Sequence, residues 1–205
     1  MITEIASIDH PDAFKLALSA LRAGQLVAFP TDTVYGLGAA LYDPRAIDQL
    51  YVVKGRQADK AIAVLIGNLA ALAQVASELS ATAQRLAQAF WPGPLTLVVP
   101  RHPALPANLS PQPTVGVRMP DYSVALELLS QAGPLAVTSA NLSGKPSATT
   151  AQEVLDQLSG RIPLILDGGR TPSTLPSTVV DCTGDGLAVL RPGPISIEQL
   201  QAALA

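Results

Sequence analysis

The chain has 205 residues, 48% of them hydrophobic and 14% charged, with a net charge of −3. This is enough apolar material for a sizeable core, and it excludes a disordered chain; the acidic isoelectric point of about 5.3 argues against a protein wrapped around bare nucleic acid. The single cysteine, Cys182, excludes a disulfide framework and speaks against a zinc cage, while no apolar run reaches the ~18 residues of a membrane span.

The start, MITEIASIDH, lacks the basic and apolar regions of a signal peptide, so a cytoplasmic setting without membrane is expected. Pro11 and Gly24 bracket the first helix, with Asp9 as its expected cap and Phe14, Leu18 and Leu21 on one face. QLVAFP reads as a short buried strand. It runs into FPTDTVYGLGA, Phe29 to Ala39, a stretch rich in hydroxyls and glycine that taken alone is a turn. Asp43-Pro44 opens a second helix, with Ile47, Leu50 and Tyr51 on one side and Gly55 at its end. Ala61 to Ile66 is a strand. Asn68 to Phe90 reads as one or two helices, stopped by the stiff turn Trp91-Pro92-Gly93-Pro94.

The second half repeats this alternation. TLVV, TVGVRM, LAVTS, PLILD, STVVD and LAVLR read as strands, and DYSVALELLSQAG and TAQEVLDQLSG as helices closed by Gly133 and Gly160. Ser196 with Gln199 forms a capping box for a last helix. Residues 172–178, PSTLPST, are the loosest segment. Alternating strands and helices with no repeat and no long linker predict one α/β domain over 1–205, and the closely spaced late strands predict a mixed sheet.

Common site motifs fail. Gly144-Lys145 lacks the rest of a Walker A loop, and Leu41 stands where a dinucleotide fingerprint needs its third glycine. His10 and His102 fall at a helix start and in a loop, which leaves a histidine triad or metal site with little support. Asp32, Asp167 and Asp181 read either as metal ligands or as turn and cap residues. Polar residues instead gather where strands and helices end. They are Thr31, Asp32, Thr33 and Tyr35; Lys54, Arg56 and Lys60; Thr114 and Arg118; Ser139, Asn141, Ser143 and Ser147; Ser177 and Thr178; and Arg191. Ligands of open α/β sheets bind near strand ends, and cations, hydroxyls and glycines suit an anionic, phosphate-bearing ligand. Several of these residues also have plainer roles. Lys54 and Arg56 complement a helix dipole, Asn141 suits an Asx turn, and Arg191 suits a solvated edge. Arg118, between Val117 and Met119, needs an anionic partner, either a carboxylate or a ligand.

Taken together, PTDTVYGLG, KGR, VGVRMP, TSANLSG, PSTVVD and LRPG occur in an order and spacing that resemble the YrdC family, the L-threonylcarbamoyl-AMP synthases, over about Gly24 to Gly193. The resemblance implies a twisted mixed parallel/antiparallel sheet with flanking helices and a large concave cavity. It implies a nucleotidyltransferase that makes threonylcarbamoyl-adenylate and pyrophosphate from L-threonine, bicarbonate and ATP, for a partner enzyme that modifies tRNA. It places threonine near Thr33, Arg118, Val137 and Ser177, and ATP near Lys54, Arg56, Lys60, Thr114, Ser139, Asn141, Ser147 and Arg191. Mg²⁺ is expected on the phosphates and no metal is expected on the protein; no general base is named. Thr33 is expected to face the ligand, Tyr35 to close a wall, and Asp32 to bond backbone or a basic neighbour. Gln57 and Ala61 depart from the family, which usually has proline at both places, and the chain resembles its short form. The competing reading is an RNA-binding or ribosome-maturation factor using a basic cavity without turnover, and a weak tRNA contact is compatible with either reading.

Overall fold

The computed structural model describes residues 1–184 and 186–205. The strands are β1 (Glu4–Ser7), β2 (Val27–Phe29), β3 (Gly36–Ala40), β4 (Ala63–Leu65), β5 (Leu95–Pro100), β6 (Thr114–Arg118), β7 (Leu135–Ser139), β8 (Leu164–Asp167), β9 (Thr178–Asp181) and β10 (Ala188–Arg191). The helices are α1 (Ala13–Arg22), α2 (Pro44–Lys54), α3 (Ala81–Phe90), α4 (Ser123–Ala132), α5 (Ala151–Leu158) and α6 (Ile197–Ala202). Two 3-10 helices, Leu69–Gln74 and Ala107–Leu109, complete the set. The strands form one sheet in the order β1-β8-β2-β3-β7-β4-β6-β5-β9-β10. Parallel and antiparallel pairs are mixed within it; β4 pairs parallel with β6, for example, but antiparallel with β7.

Alternation along the strands fills both faces. Val27 and Phe29, Leu135 and Val137, and Leu164 and Leu166 pack with α1 and α4 through Ala17, Leu21, Leu128 and Leu129. The intervening Ala28, Ala136 and Ile165 face the other way, into the larger cluster that holds Ile47 and Leu50 of α2, Leu86 of α3 and Val154 of α5. Caps follow the sequence closely. The Asp43 carboxylate accepts from the backbone N–H groups of Arg45 and Ala46 at the start of α2, and Gly55 ends that helix in the left-handed region at φ 59°. Ser196 and Gln199 form the reciprocal capping box of α6.

Of the one or two helices expected over Asn68 to Phe90 there are two: Asn68 caps the short 3-10 helix, and Ser80 starts α3 anew. Two expectations change. Asp9 does not cap α1, whose N-cap is Asp12, without a side-chain cap bond. The glycine-rich GLGAA is not a turn but β3, between β2 and β7. A Cβ at Gly36 would lie 2.9 Å from Val137 Cγ1, and one at Gly38 would lie 2.9 Å from Phe29 Cε1. Neighbouring side chains already fill that face, so this strand is built without β-branched residues on it.

Candidate functional site

A cleft of about 380 Å³ opens on the sheet where β3, β7, β4, β6, β5 and the β9–β10 hairpin pass side by side. Among the described residues its lining contains no aspartate or glutamate, whereas Arg56, Arg118 and Arg191 all reach it.

One end is organised around Arg118, at the end of β6 and 5% exposed. Its Nε donates to the Gly93 carbonyl at 3.0 Å, Nη1 to Thr33 Oγ1 at 2.9 Å, and Nη2 to Asp32 in a buried ion pair. A guanidinium has five N–H donors, so one on each terminal nitrogen is left for a ligand. Burial pushes the Arg118 pKa down and Asp32 opposes it. Burial likewise raises the Asp32 carboxyl against the pull of Arg118. The anionic partner that the sequence demanded for Arg118 is thus a carboxylate of the protein, and Asp32 bonds a basic neighbour as expected. The loop between β2 and β3 carries this end: Thr31, Thr33, Val34 and Tyr35 line it. Tyr35 is fully buried, and its hydroxyl donates away from the cleft to the Gly169 carbonyl at 2.8 Å.

Two further arginines reach the same cleft, and Arg191 lies near enough to Arg118 for their like charges to repel. Arg56 donates to the carbonyls of Lys60 at 3.2 Å and Ala61 at 2.8 Å, which folds residues 56–61 back along the cleft. Arg191 holds the Ser177 carbonyl through Nε at 3.1 Å and Nη2 at 2.8 Å, and its Nη2 also donates to Ser177 Oγ at 3.1 Å. Neither arginine forms an ion pair among the described residues. Burial lowers both pKa values, and Arg56 adds to the depression at Arg191 by like-charge repulsion. Two arginines held close together with no carboxylate between them make a site for a multiply charged anion.

Thr33, Arg118, Val137 and Ser177, and Arg56, Ser139, Ser147 and Arg191, all line this one cleft. Lys54, Lys60, Thr114 and Asn141 are not part of its lining. The Lys54 ammonium is buried and donates to the carbonyls of Ser139 and Asn141. Asn141 donates to Leu142 and Lys145, each at 2.8 Å, and so shapes its own loop. Thr114 begins β6 while Arg118 ends it, about 13 Å further along at strand rise. Lys60 offers its carbonyl to Arg56 and is exposed.

Sequence reasoning passed over Thr96 and Gly116. Thr96 Oγ1 lies 2.7 Å from Ser177 Oγ on the cleft floor. A hydroxyl inside the apolar run LTLVV carries the same signal that marked Arg118, a polar group that burial obliges to find a partner. The aspartates separate into local roles: Asp167 accepts from the Gly169 N–H and Asp181 from the Thr183 N–H. Cys182 is buried and its thiol pKa is pushed up to about 11, as suits an inert core residue.

The family model Sua5_yciO_yrdC, described as Telomere recombination, matches residues 19–193. The chain belongs to the Sua5/YciO/YrdC family. Within that family it is 42% identical over 192 residues to a threonylcarbamoyl-AMP synthase of Pyrococcus abyssi, covering 93% of this chain and 56% of the relative. It is 43% identical over 189 residues to a putative threonylcarbamoyl-AMP synthase of Mycobacterium tuberculosis, covering 92% of this chain and 87% of the relative. The chain therefore spans little more than half of the archaeal Sua5 relative and most of the mycobacterial one. The crystal structure of P. abyssi Sua5 complexed with L-threonine superposes with a TM-score of 0.94 at 39% identity, over all of this chain and 61% of that one. The structure of E. coli YciO gives a TM-score of 0.87 at 26% identity, over 97% of this chain and all of YciO. The mixed sheet with flanking helices is thus the Sua5/YciO fold.

Proposed function

We propose that the protein is an L-threonylcarbamoyl-AMP synthase, condensing L-threonine, bicarbonate and ATP into threonylcarbamoyl-adenylate and pyrophosphate. The observation that carries this reading is the set of three arginines in one cleft. Arg118 is already neutralised by Asp32, with two N–H groups to spare and hydroxyls around it, whereas Arg56 and Arg191 have no ion-pair partner among the described residues. The first suits the carboxylate of a zwitterionic amino acid and the other two a triphosphate. The names of the relatives, and the threonine complex of one of them, support the same assignment.

The chemistry follows from this placement. The two spare N–H groups of Arg118 take the threonine carboxylate in a forked hydrogen bond. The amine, held beside Thr33 and Ser177, adds in its neutral form to carbon dioxide that bicarbonate gives on losing water, and releases a proton to become the carbamate. A carbamate oxygen attacks the α-phosphorus of ATP and pyrophosphate leaves. Arg56 and Arg191 neutralise the charge that grows on the leaving group. No protein nucleophile takes part, so positioning and electrostatics supply the acceleration. The donor set of the cleft, cations and hydroxyls without carboxylates, fits a magnesium ion that arrives on the triphosphate and neutralises part of its charge. The adenylate then passes to a partner enzyme that acts on tRNA, and a cytoplasmic single-domain protein is consistent with that role.

The deciding experiment is pyrophosphate release from ATP by the purified protein, with bicarbonate and with threonine, serine or no amino acid. Release is expected only when threonine and bicarbonate are both present. A folded protein that binds ATP but shows no threonine-dependent release would overturn the proposal.

A further inference from the structure

Beneath the amino-acid end lies a buried pair of threonines whose hydrogen bonds can be assigned proton by proton. Thr31 is 2% exposed and Thr33 is 1% exposed. Thr31 Oγ1 lies 2.7 Å from the Val34 carbonyl oxygen. A carbonyl has no proton to give, so the single hydroxyl proton of Thr31 must occupy that bond. The Thr31 oxygen then accepts the Thr33 backbone N–H at 3.2 Å. It also lies 3.0 Å from Thr33 Oγ1. With the Thr31 proton already placed, the proton in this contact comes from Thr33; otherwise two sets of lone pairs would face each other in a buried site. On its other side Thr33 Oγ1 accepts from Arg118 Nη1 at 2.9 Å. The Thr33 hydroxyl has therefore given away its only proton, and of its two lone pairs one is taken and one remains.

We infer that Thr31 is a positioning residue that holds the Thr33 proton, so that Thr33 faces the cleft as a hydrogen-bond acceptor only. The chain Val34 carbonyl, Thr31 hydroxyl, Thr33 hydroxyl, Arg118 guanidinium is polarised in one direction from end to end. A ligand group beside Thr33 must then be an N–H or O–H donor, such as an amine or an alcohol. A carboxylate oxygen there would meet a lone pair and is turned toward the remaining N–H groups of Arg118. The two neighbours thus sort the ends of an amino acid, donor to Thr33 and carboxylate to Arg118, before any chemistry starts. This inference rests on the proposed function for the identity of the ligand, though not for the polarity itself.

The test compares Thr31→Val with Thr31→Ser. Valine keeps the shape, leaves the Val34 carbonyl and the Thr33 N–H without their Thr31 partner, and frees the Thr33 hydroxyl to point its proton into the cleft, while serine keeps all three bonds. Thr31→Val is expected to raise the threonine KM about tenfold, the scale of one lost or mismatched hydrogen bond. The ATP KM and the kcat at saturating threonine should stay within about twofold, and Thr31→Ser should bring the threonine KM back to within about twofold of wild type. An unchanged threonine KM in Thr31→Val, or an equal rise in both KM values, overturns the inference. Should Thr31→Val fail to fold, hydroxyl-proton NMR of the unmodified protein decides. The Thr33 hydroxyl proton is expected to exchange slowly and to show a nuclear Overhauser contact to Thr31, and exchange at the solvent rate overturns the inference. If the unmodified protein neither binds threonine nor releases pyrophosphate with it, the proposed function fails, and the same NMR signal still judges the polarity.

Discussion

Lys54 shows how far one residue's role depends on what surrounds it. At a helix end, in a Lys-x-Arg sequence, it reads as a cation waiting for phosphate. Only the fold shows that it is 2% exposed and that its ammonium binds the carbonyls of Ser139 and Asn141, joining the end of α2 to the loop after β7. Burial, and secondarily Arg56, lower its pKa from the ordinary 10.5 to about 7. A neutral amine still has two N–H groups, so both carbonyls remain satisfied when the proton leaves. The sign of the pH effect follows by linkage. In the unfolded chain the lysine stays protonated to higher pH, so between about 7 and 10.5 the unfolded state binds more protons. This lysine's contribution is least favourable below the folded pKa, and stability rises with pH through that window. Urea unfolding of the wild type should show the rise, and Lys54→Met should lack it. Lys54→Met should also cost about 1–3 kcal/mol at pH 8, because two buried carbonyls lose their donor. Parallel pH curves for the two proteins would show that Lys54 stays charged in the fold.

At the scale of elements, the sequence showed what local chemistry controls. Asp43 and Gly55 mark the ends of α2, and Ser196 with Gln199 marks the start of α6, because a cap is a short-range hydrogen-bond problem solved by the residue types present. The short continuous apolar runs in LAVTS and PLILD exposed β7 and β8 in the same way. β3 was hidden because its glycines are required by neighbours in the folded sheet: Phe29 and Val137 occupy the space where its side chains would stand. β1 was hidden because it is a short edge strand, with three of its four residues exposed and little apolar pattern. The reading of β3 is testable. In Gly38→Ala the new methyl group meets the ring of Phe29, which is wholly buried. The variant should be less stable by about 1–3 kcal/mol, the usual cost of overpacking a filled core, measured as a lower urea midpoint with an unchanged slope. A variant as stable as wild type would mean that Phe29 moves aside freely and that glycine at 38 is not a packing requirement.

For the molecule as a whole, the sheet order turns separated motifs into one site. The loop before β3 and the end of β6 lie far apart in sequence, yet only β7 and β4 stand between β3 and β6 in the sheet. The β9–β10 hairpin adds Arg191 from the far edge by reaching across β5. Spacing along the chain carries no such distances. It named Arg118 because burial of a charge demands a partner, but it had no means of separating Arg56, which reaches the cleft, from Lys54 two residues earlier, which does not. The same geometry predicts that the two cations assigned to the triphosphate are not equivalent. Among the described residues the Arg56 side chain donates hydrogen bonds only within its own loop, to Lys60 and Ala61. Arg191 holds both the carbonyl and the hydroxyl of Ser177, and Ser177 in turn meets Thr96 on the cleft floor. Removing either arginine takes away a charged contact to phosphate, and about a tenfold rise in the ATP KM is expected for each. Arg56→Ala should leave the threonine KM within about twofold. Arg191→Ala should raise it several-fold as well, because Ser177 loses the guanidinium that orients it. Steady-state pyrophosphate release with each substrate varied in turn separates the two patterns. A threonine KM that stays put in Arg191→Ala would mean that Thr96 and the backbone alone hold Ser177, and that the threonine and ATP sites are independent.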